Sequence, residues 1–310
     1  MEIKSVAIVG AGALGILMGD FCLRVLPPAC VRFLADEARI ARYEAEGLFL
    51  NGQRCNFHYG AAGASDLVIF AVKAPDLEAA IALAAPCVGE NTILLSLLNG
   101  VTSEEAIGAA LGREKVIHAV AQGMDATRVG NYLTCDMPGE LRIGYPAGET
   151  DKQERLDALA AFLTRIGVKH TVEADIMHRL WGKLMLNVGV NQCCTAFACD
   201  YGGVQRPGRP RDTLFAAMEE VRTVARCAGV TLTREDLEGY VALMDTLTPV
   251  GLPSMRQDAL AGRKTELALF AGTVLDYAAR YGLDTPTNRW LYEEISRTEA
   301  AYPGAEGDRE

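Results

Sequence analysis

Val6-Ala-Ile-Val-Gly10-Ala-Gly12-Ala-Leu-Gly15-Ile-Leu-Met18 is the stretch that decides how this chain is read. An apolar run short enough for a buried strand passes straight into glycines spaced G-x-G-x-x-G. An apolar helical pattern then runs to about residue 26. Gly10 permits a tight turn, Gly12 lets the backbone approach a ligand, and Gly15 lets the helix pack close to the strand. The backbone of Gly10, Ala11, Gly12, Ala13, Leu14 and Gly15, at a helix N-terminus, suits a pyrophosphate. The segment predicts dinucleotide binding, with an unliganded glycine-rich turn as the plainer alternative.

Working outward, strands are predicted at 31–35, 66–72, 92–98 and 116–120, with helices at 40–46 and 77–85 between them. Strands alternating with helices give a Rossmann-type, doubly wound parallel sheet. Residues 133–145 read as an edge hairpin turning at Pro138-Gly139, and a helix at 153–166 with a strand at 170–172 closes a dinucleotide-binding domain over 1–173. From residue 174 the patterns become helical, at 175–191, 213–229, 234–246 and 266–281, with loops at 201–211 and 248–253. The expected fold is therefore α/β in the N-terminal half, with an all-helical substrate domain over 174–303 and a polar tail at 304–310.

Bulk properties agree. A chain of 310 residues is expected to form two domains, and 50% hydrophobic with 23% charged residues is ordinary for a packed core. The net charge of −10 argues against nucleic-acid and anionic-membrane partners, although a few local Lys or Arg residues can still govern a pocket for an anionic substrate. No signal-peptide pattern opens the chain, and its longest apolar runs are too short to span a bilayer. Nine cysteines lie outside any C-x-x-C or Cys/His cluster. They read as reduced thiols of a cytoplasmic protein that holds no metal.

In the second half, Lys183, Asn187 and Asn191 recur every four residues and so share one helix face. Their neighbours are Leu, Met, Val and Trp, which argues against a plain solvent face. A lysine can protonate a carbonyl substrate there while two amides orient it. A polar stripe with a snorkelling lysine has the same spacing. For the cofactor, Asp36 stands at the end of the second strand, where an acid bonds the ribose diol of NAD and repels a 2′-phosphate. Arg39 and Arg42 follow, either to pair with such a phosphate or as exposed helix charges.

The chain resembles the ketopantoate reductase (2-dehydropantoate 2-reductase) family over nearly its whole length. The resemblance rests on Gly10-Ala-Gly-Ala-Leu-Gly15, Val72-Lys73, Leu98-Asn99-Gly100, Trp181-Gly-Lys183 with Asn187 and Asn191, Ser254-Met255-x-Gln257-Asp258 and Lys264-Thr265-Glu266, in that order. It implies NAD(P)H-dependent reduction of a 2-oxo acid, namely ketopantoate to pantoate in pantothenate biosynthesis. Family habit favours NADP(H), and Asp36 keeps NAD(H) open. The resemblance further implies that Lys73 and Asn99 lie near the cofactor, Asn99 also touching substrate. Lys183 is the implied general acid, Asn187 and Asn191 hold the substrate's polar groups, and Ser254 binds substrate. Glu266 bonds cofactor or orients the lysine. The plainer roles are a helix cap for Ser254 and a first-turn acid for Glu266.

The chain departs from the family at three places. Asp36 stands where an arginine is frequent, Tyr201 falls where a substrate-binding asparagine follows the lysine helix, and another asparagine is replaced near Gly251. Each lost contact costs roughly 1 to 3 kcal/mol of recognition if nothing replaces it. A sibling reductase of another 2-oxo acid is therefore one alternative. A β-hydroxyacid dehydrogenase is a second, which the Ser254 and Glu266 motifs do not suit. A non-catalytic redox sensor is a third, which has no need of Lys183, Asn187 and Asn191. The expected partners are a small-molecule 2-oxo acid and a second copy of the chain, with neither nucleic acid nor membrane.

Overall fold

The computed structural model describes residues 1–149 and 152–302, so the predicted tail at 304–310 lies outside the described residues. The chain divides into two compact units, Met1–Met177 and a second beginning at His178.

The first unit contains strands β1 (Val6–Val9), β2 (Val31–Leu34), β3 (Leu48–Leu50), β4 (Gln53–Cys55), β5 (His58–Tyr59), β6 (Ser65–Phe70), β7 (Val88–Ser96), β8 (Val116–Gln122), β9 (Asp125–Val129), β10 (Tyr132–Met137), β11 (Glu140–Gly144) and β12 (His170–Glu173). Its helices are α1 (Ala13–Leu23), α2 (Glu37–Glu46), α3 (Leu77–Ala84), α4 (Ser103–Leu111) and α5 (Gln153–Ile166). Eight strands form the main sheet in the order β12-β11-β8-β7-β6-β1-β2-β5, parallel from β5 to β8. The central strands are apolar without alternation, and β1 is buried throughout, because helices cover both faces of a parallel sheet. The chain runs from β1 outward to β2 and returns to β6 on the other side. The strand order therefore reverses between β1 and β6, which is where doubly wound sheets bind ligands.

The hairpin predicted over 133–145 is not formed as such. β9 pairs with β10, and β8 pairs antiparallel with β11, so one long ribbon turns at Gly130-Asn131 rather than at Pro138-Gly139. The ribbon splits between two sheets, β9 and β10 joining β3 and β4 in a separate four-stranded sheet. The split falls at Gly123 and Gly139, where a Cβ on Gly139 would stand 2.3 Å from the Gln122 carbonyl oxygen. The sequence reading missed β3, β4, β5, β9 and α4; β3, β4 and β5 are strands of two or three residues, which carry almost no periodicity.

The second unit is helical: α6 (Ile176–Ala196, begun in the first unit), α7 (Tyr201–Gln205), α8 (Arg209–Cys227), α9 (Arg234–Asp245), α10 (Ser254–Leu260), α11 (Thr273–Tyr281) and α12 (Pro286–Ala300), with a π-helical turn at Ala268–Gly272. The loop predicted over 201–211 contains α7 and the start of α8. Helix α6 is buried on most sides and is packed closely through its glycines. A Cβ at Gly182 would lie 2.4 Å from the Tyr240 hydroxyl, and one at Gly189 would lie 2.7 Å from Met218. Trp181 is fully buried, edge-on to Tyr277 at 5.2 Å between ring centroids, which locks the rotation of α6 about its axis. Among the described residues no helix is long and apolar enough to cross a membrane.

Candidate active site

In the first unit the glycine loop occupies the reversal of strand order. Gly10 has a φ of +96°, and a Cβ there would meet the Ala71 carbonyl oxygen and a Val72 methyl at 2.7 Å. A Cβ on Gly15 would stand 2.0 Å from the Gly10 carbonyl oxygen, so backbone passes where a side chain would be. The N-cap of α1 is Gly12, which offers no side chain to the first-turn amides. A cradle closed to side chains with amides to satisfy fits a pyrophosphate.

Lys73 and Asn99 each follow the end of a strand, β6 and β7 respectively, by three residues; Lys73 is exposed and Asn99 half-buried. The turn carrying Asn99 rests on a buried polar chain that the sequence reading missed. The Leu98 N–H donates to Ser96 Oγ (3.3 Å), Ser96 and Ser103 share a hydrogen bond (2.8 Å), and Ser103 donates to Glu104 Oε2 (2.8 Å). Burial pushes the Glu104 carboxyl up to about 7, and its other oxygen has no partner. The only sequence sign was a Ser-Glu-Glu opening to an unread helix.

Asp36 is the N-cap of α2. It accepts from the Arg39 N–H at 2.8 Å and pairs with the Arg39 guanidinium at 3.3 Å. Arg42 instead lines a cavity of about 530 Å³ together with Glu46, Phe49, Arg128 and Tyr132. Arg128, from β9, donates to the Ala11 carbonyl of the glycine loop. No local pattern singled it out, because its strand is the exposed edge of the second sheet.

In the second unit, Lys183, Asn187 and Asn191 lie on successive turns of α6. Asn191 Nδ2 donates to Asn187 Oδ1 at 3.3 Å. Asn191 Oδ1 accepts from the Met255 N–H (3.2 Å) and from the Ser254 hydroxyl (3.4 Å). The structure thus brings Asn187, Asn191 and Ser254 into one hydrogen-bonded chain across two helices. Ser254 heads α10 without capping it through its side chain, and is exposed. Lys183 is half-buried, and burial pushes its ammonium down to about 8 while the Glu266 carboxylate opposes the fall. Glu266 stands just ahead of the π-helical turn and accepts the Phe270 N–H at 3.0 Å through its carbonyl. Gln257 and Asp258 do structural work: Gln257 donates to the Leu252 carbonyl (2.9 Å), and Asp258 pairs with Arg263 (2.8 Å). Among the described residues no group of His, Cys, Asp and Glu side chains could hold a metal ion.

The family model described as Ketopantoate reductase PanE/ApbA matches residues 6–148, and its C-terminal counterpart matches 175–299. The 2-dehydropantoate 2-reductase of Aquifex aeolicus (strain VF5) is 28% identical over 239 residues, 76% of each chain. The crystal structure of a PanE/ApbA family ketopantoate reductase from Ralstonia eutropha JMP134 superposes with a TM-score of 0.81 at 25% identity, covering 96% of this chain and 98% of that one. A D-mandelate dehydrogenase, solved with NADH and anilino(oxo)acetate, shares the fold at a TM-score of 0.85 and 21% identity, covering 96% of this chain and 99% of its own. Matched through both of its halves, the chain belongs to the ketopantoate reductase family of oxidoreductases.

Proposed function

We propose that this protein reduces a 2-oxo acid, with ketopantoate to pantoate as the leading reaction and NADPH as the reductant. The observation that carries the reading is the Asn187–Asn191–Ser254 chain beside Lys183, a lysine whose charge is weakened by burial and sustained by Glu266. When bound, the reduced nicotinamide supplies hydride. Lys183 donates a proton to the ketone oxygen as negative charge develops there. An acid titrating at about 8 gives up that proton near neutral pH far more readily than an ordinary lysine. Glu266 keeps the ammonium charged in the resting protein and fixes its direction. Asn191 is held rigid by three hydrogen bonds, and because its amide engages Asn187 Oδ1, Asn187 turns its own N–H donors to the substrate's polar oxygens.

The glycine cradle, Lys73 and Asn99 would hold the dinucleotide, with the loop backbone taking the pyrophosphate. For the ribose end, Asp36 is committed to capping α2 and to Arg39, which weakens it as a partner for the diol of NADH. Arg42 is the cation proposed for a 2′-phosphate.

A sibling reductase, acting on a 2-oxo acid with an apolar substituent, is the second reading. It is favoured by Tyr201 and Gly251, which put an aromatic ring and a missing side chain where amides are expected. Steady-state reduction of ketopantoate, 2-oxoisovalerate and phenylglyoxylate, each with NADPH and NADH, separates the two. Preference for ketopantoate supports the first, and a higher kcat/KM for either of the others supports the second.

A further inference from the structure

Helix α6 ends in a turn that holds two thiols together. The Cys199 N–H donates to the Cys194 carbonyl at 2.9 Å, the Ala198 N–H donates to the Thr195 carbonyl at 3.2 Å, and Ala198 has a φ of +50°. This is the helix-terminating turn in which the second residue beyond the cap packs on the last turn of the helix. Glycine ordinarily fills the left-handed position and apolar side chains the packing pair. Here the left-handed residue is alanine, and the packing pair is Cys194 and Cys199. The Cys194 thiol donates to the Asp200 carbonyl oxygen at 3.5 Å. Cys199 is also packed tightly against Gly203, where a Cβ would stand 2.6 Å from the sulfur.

We propose that Cys194 and Cys199 form a reversible dithiol–disulfide pair, with Cys199 the thiol that a peroxide attacks and Cys194 the thiol that resolves it. Access assigns these roles: Cys199 is half-buried, whereas Cys193 and Cys194 are fully buried. The neighbouring Cys194 thiol holds the Cys199 thiol below the ordinary range. Arg256 adds to this, while burial and Asp200 oppose it. In the first step the Cys199 thiolate attacks one peroxide oxygen, the O–O bond breaks, and sulfenic acid and hydroxide result. In the second, the Cys194 sulfur attacks the Cys199 sulfur, the S–O bond breaks, and water leaves with the Cys194 proton. Overall two thiols lose two electrons and two protons, and the peroxide becomes two waters.

The turn is stitched to the segment that leads into Ser254. Tyr201 N–H donates to the Gly251 carbonyl (3.0 Å), and Gly202 N–H donates to the Pro249 carbonyl (2.7 Å). Thr195, in the same turn, donates to the Asn191 carbonyl at 2.8 Å. Coupling of this pair to substrate binding rests on the roles proposed above for Asn191 and Ser254; formation of the disulfide does not.

The test is peroxide treatment of the full-length protein, followed by alkylation and mass spectrometry of the tryptic peptide carrying Cys193, Cys194 and Cys199. The expected peptide is lighter by two hydrogens, with the bond mapped to Cys194–Cys199 and reversed by dithiothreitol. The Cys193→Ser variant retains this loss and Cys199→Ser abolishes it, while Cys194→Ser accumulates a Cys199 sulfenic acid trapped by dimedone. Three alkylated thiols after treatment, or a bond through Cys193, would overturn the pair. Oxidation is further expected to lower kcat/KM about ten-fold, a typical coupling between sites. Unchanged kcat/KM in the oxidised protein would remove the coupling, and the peptide mass decides the pair even if the protein fails to reduce ketopantoate.

Discussion

The Tyr201 ring lies directly on the Cα of Gly251, where a Cβ would fall 2.9 Å from two ring carbons, and the Tyr201 N–H donates to the Gly251 carbonyl at 3.0 Å. The two positions that read as departures from the family in the second half are therefore one feature: the ring fills the place of a side chain at Gly251. Gly251→Ala is predicted to cost about 1–3 kcal/mol by overpacking, read by chemical denaturation. Joint replacement of Tyr201 and Gly251 by asparagine is predicted to cost less than the sum of the single changes, by about 0.5–3 kcal/mol. Additive costs would show that the two positions act separately.

Asn191 gives the backbone of Met255 its acceptor in a buried setting. Asn191→Ala leaves that N–H without one, at a cost of about 1–3 kcal/mol in stability. Because Asn187 then loses the group that orients it, KM for the 2-oxo acid is predicted to rise about ten-fold. Denaturation and steady-state kinetics on one preparation separate the two effects, and an unchanged KM would detach the asparagines from substrate.

Glu104 makes stability depend on pH in a definite direction. Its folded pKa of about 7 lies above the ordinary 4.5, so the unfolded chain releases this proton first. The stabilising contribution is full below about 4.5 and is lost as pH rises through about 7. The difference amounts to on the order of 3 kcal/mol. Glu104→Gln, which cannot ionise, should gain in Tm over the parent as pH goes from 5 to 8. A gain independent of pH would mean that Glu104 titrates normally.

Gly15→Ala tests the cradle. Its Cβ would collide with the Gly10 carbonyl, and backbone cannot step aside as a flexible side chain can. Loss of NADPH binding by at least ten-fold in titration calorimetry is expected, since the amides that face the pyrophosphate are displaced. Parent-like binding would place the nucleotide elsewhere.

What could be read from the sequence divides along the range of the interactions. The glycine loop and the Lys183–Asn187–Asn191 face were legible because both are set by spacing within one or two elements. The parallel sheet was legible from unbroken apolar runs such as Val6–Val9. The ribbon's split at Gly123 and Gly139 was not, since alternation within a strand does not say which sheet it joins. Asp36 was read as a ribose ligand by position alone, and its capping of α2 emerged only with the Arg39 geometry. Arg128 reaches the Ala11 carbonyl from 117 residues away, and Ser254 meets Asn191 from 63 away; contacts so distant leave no pattern in a single sequence.

The central claim is that Lys183 is the acid, and the pH dependence of kcat/KM for ketopantoate reduction by NADPH, measured for the parent and for Lys183→Ala, tests it most directly. Lys183 is protonated below about 8, so kcat/KM should be level on the acid side and fall as pH rises through about 8. Lys183→Ala should lose about 10²–10⁴ in kcat and the pH break with it, while NADPH binding persists. A variant within a few-fold of the parent, or a parental profile flat through pH 8, would contradict the assignment.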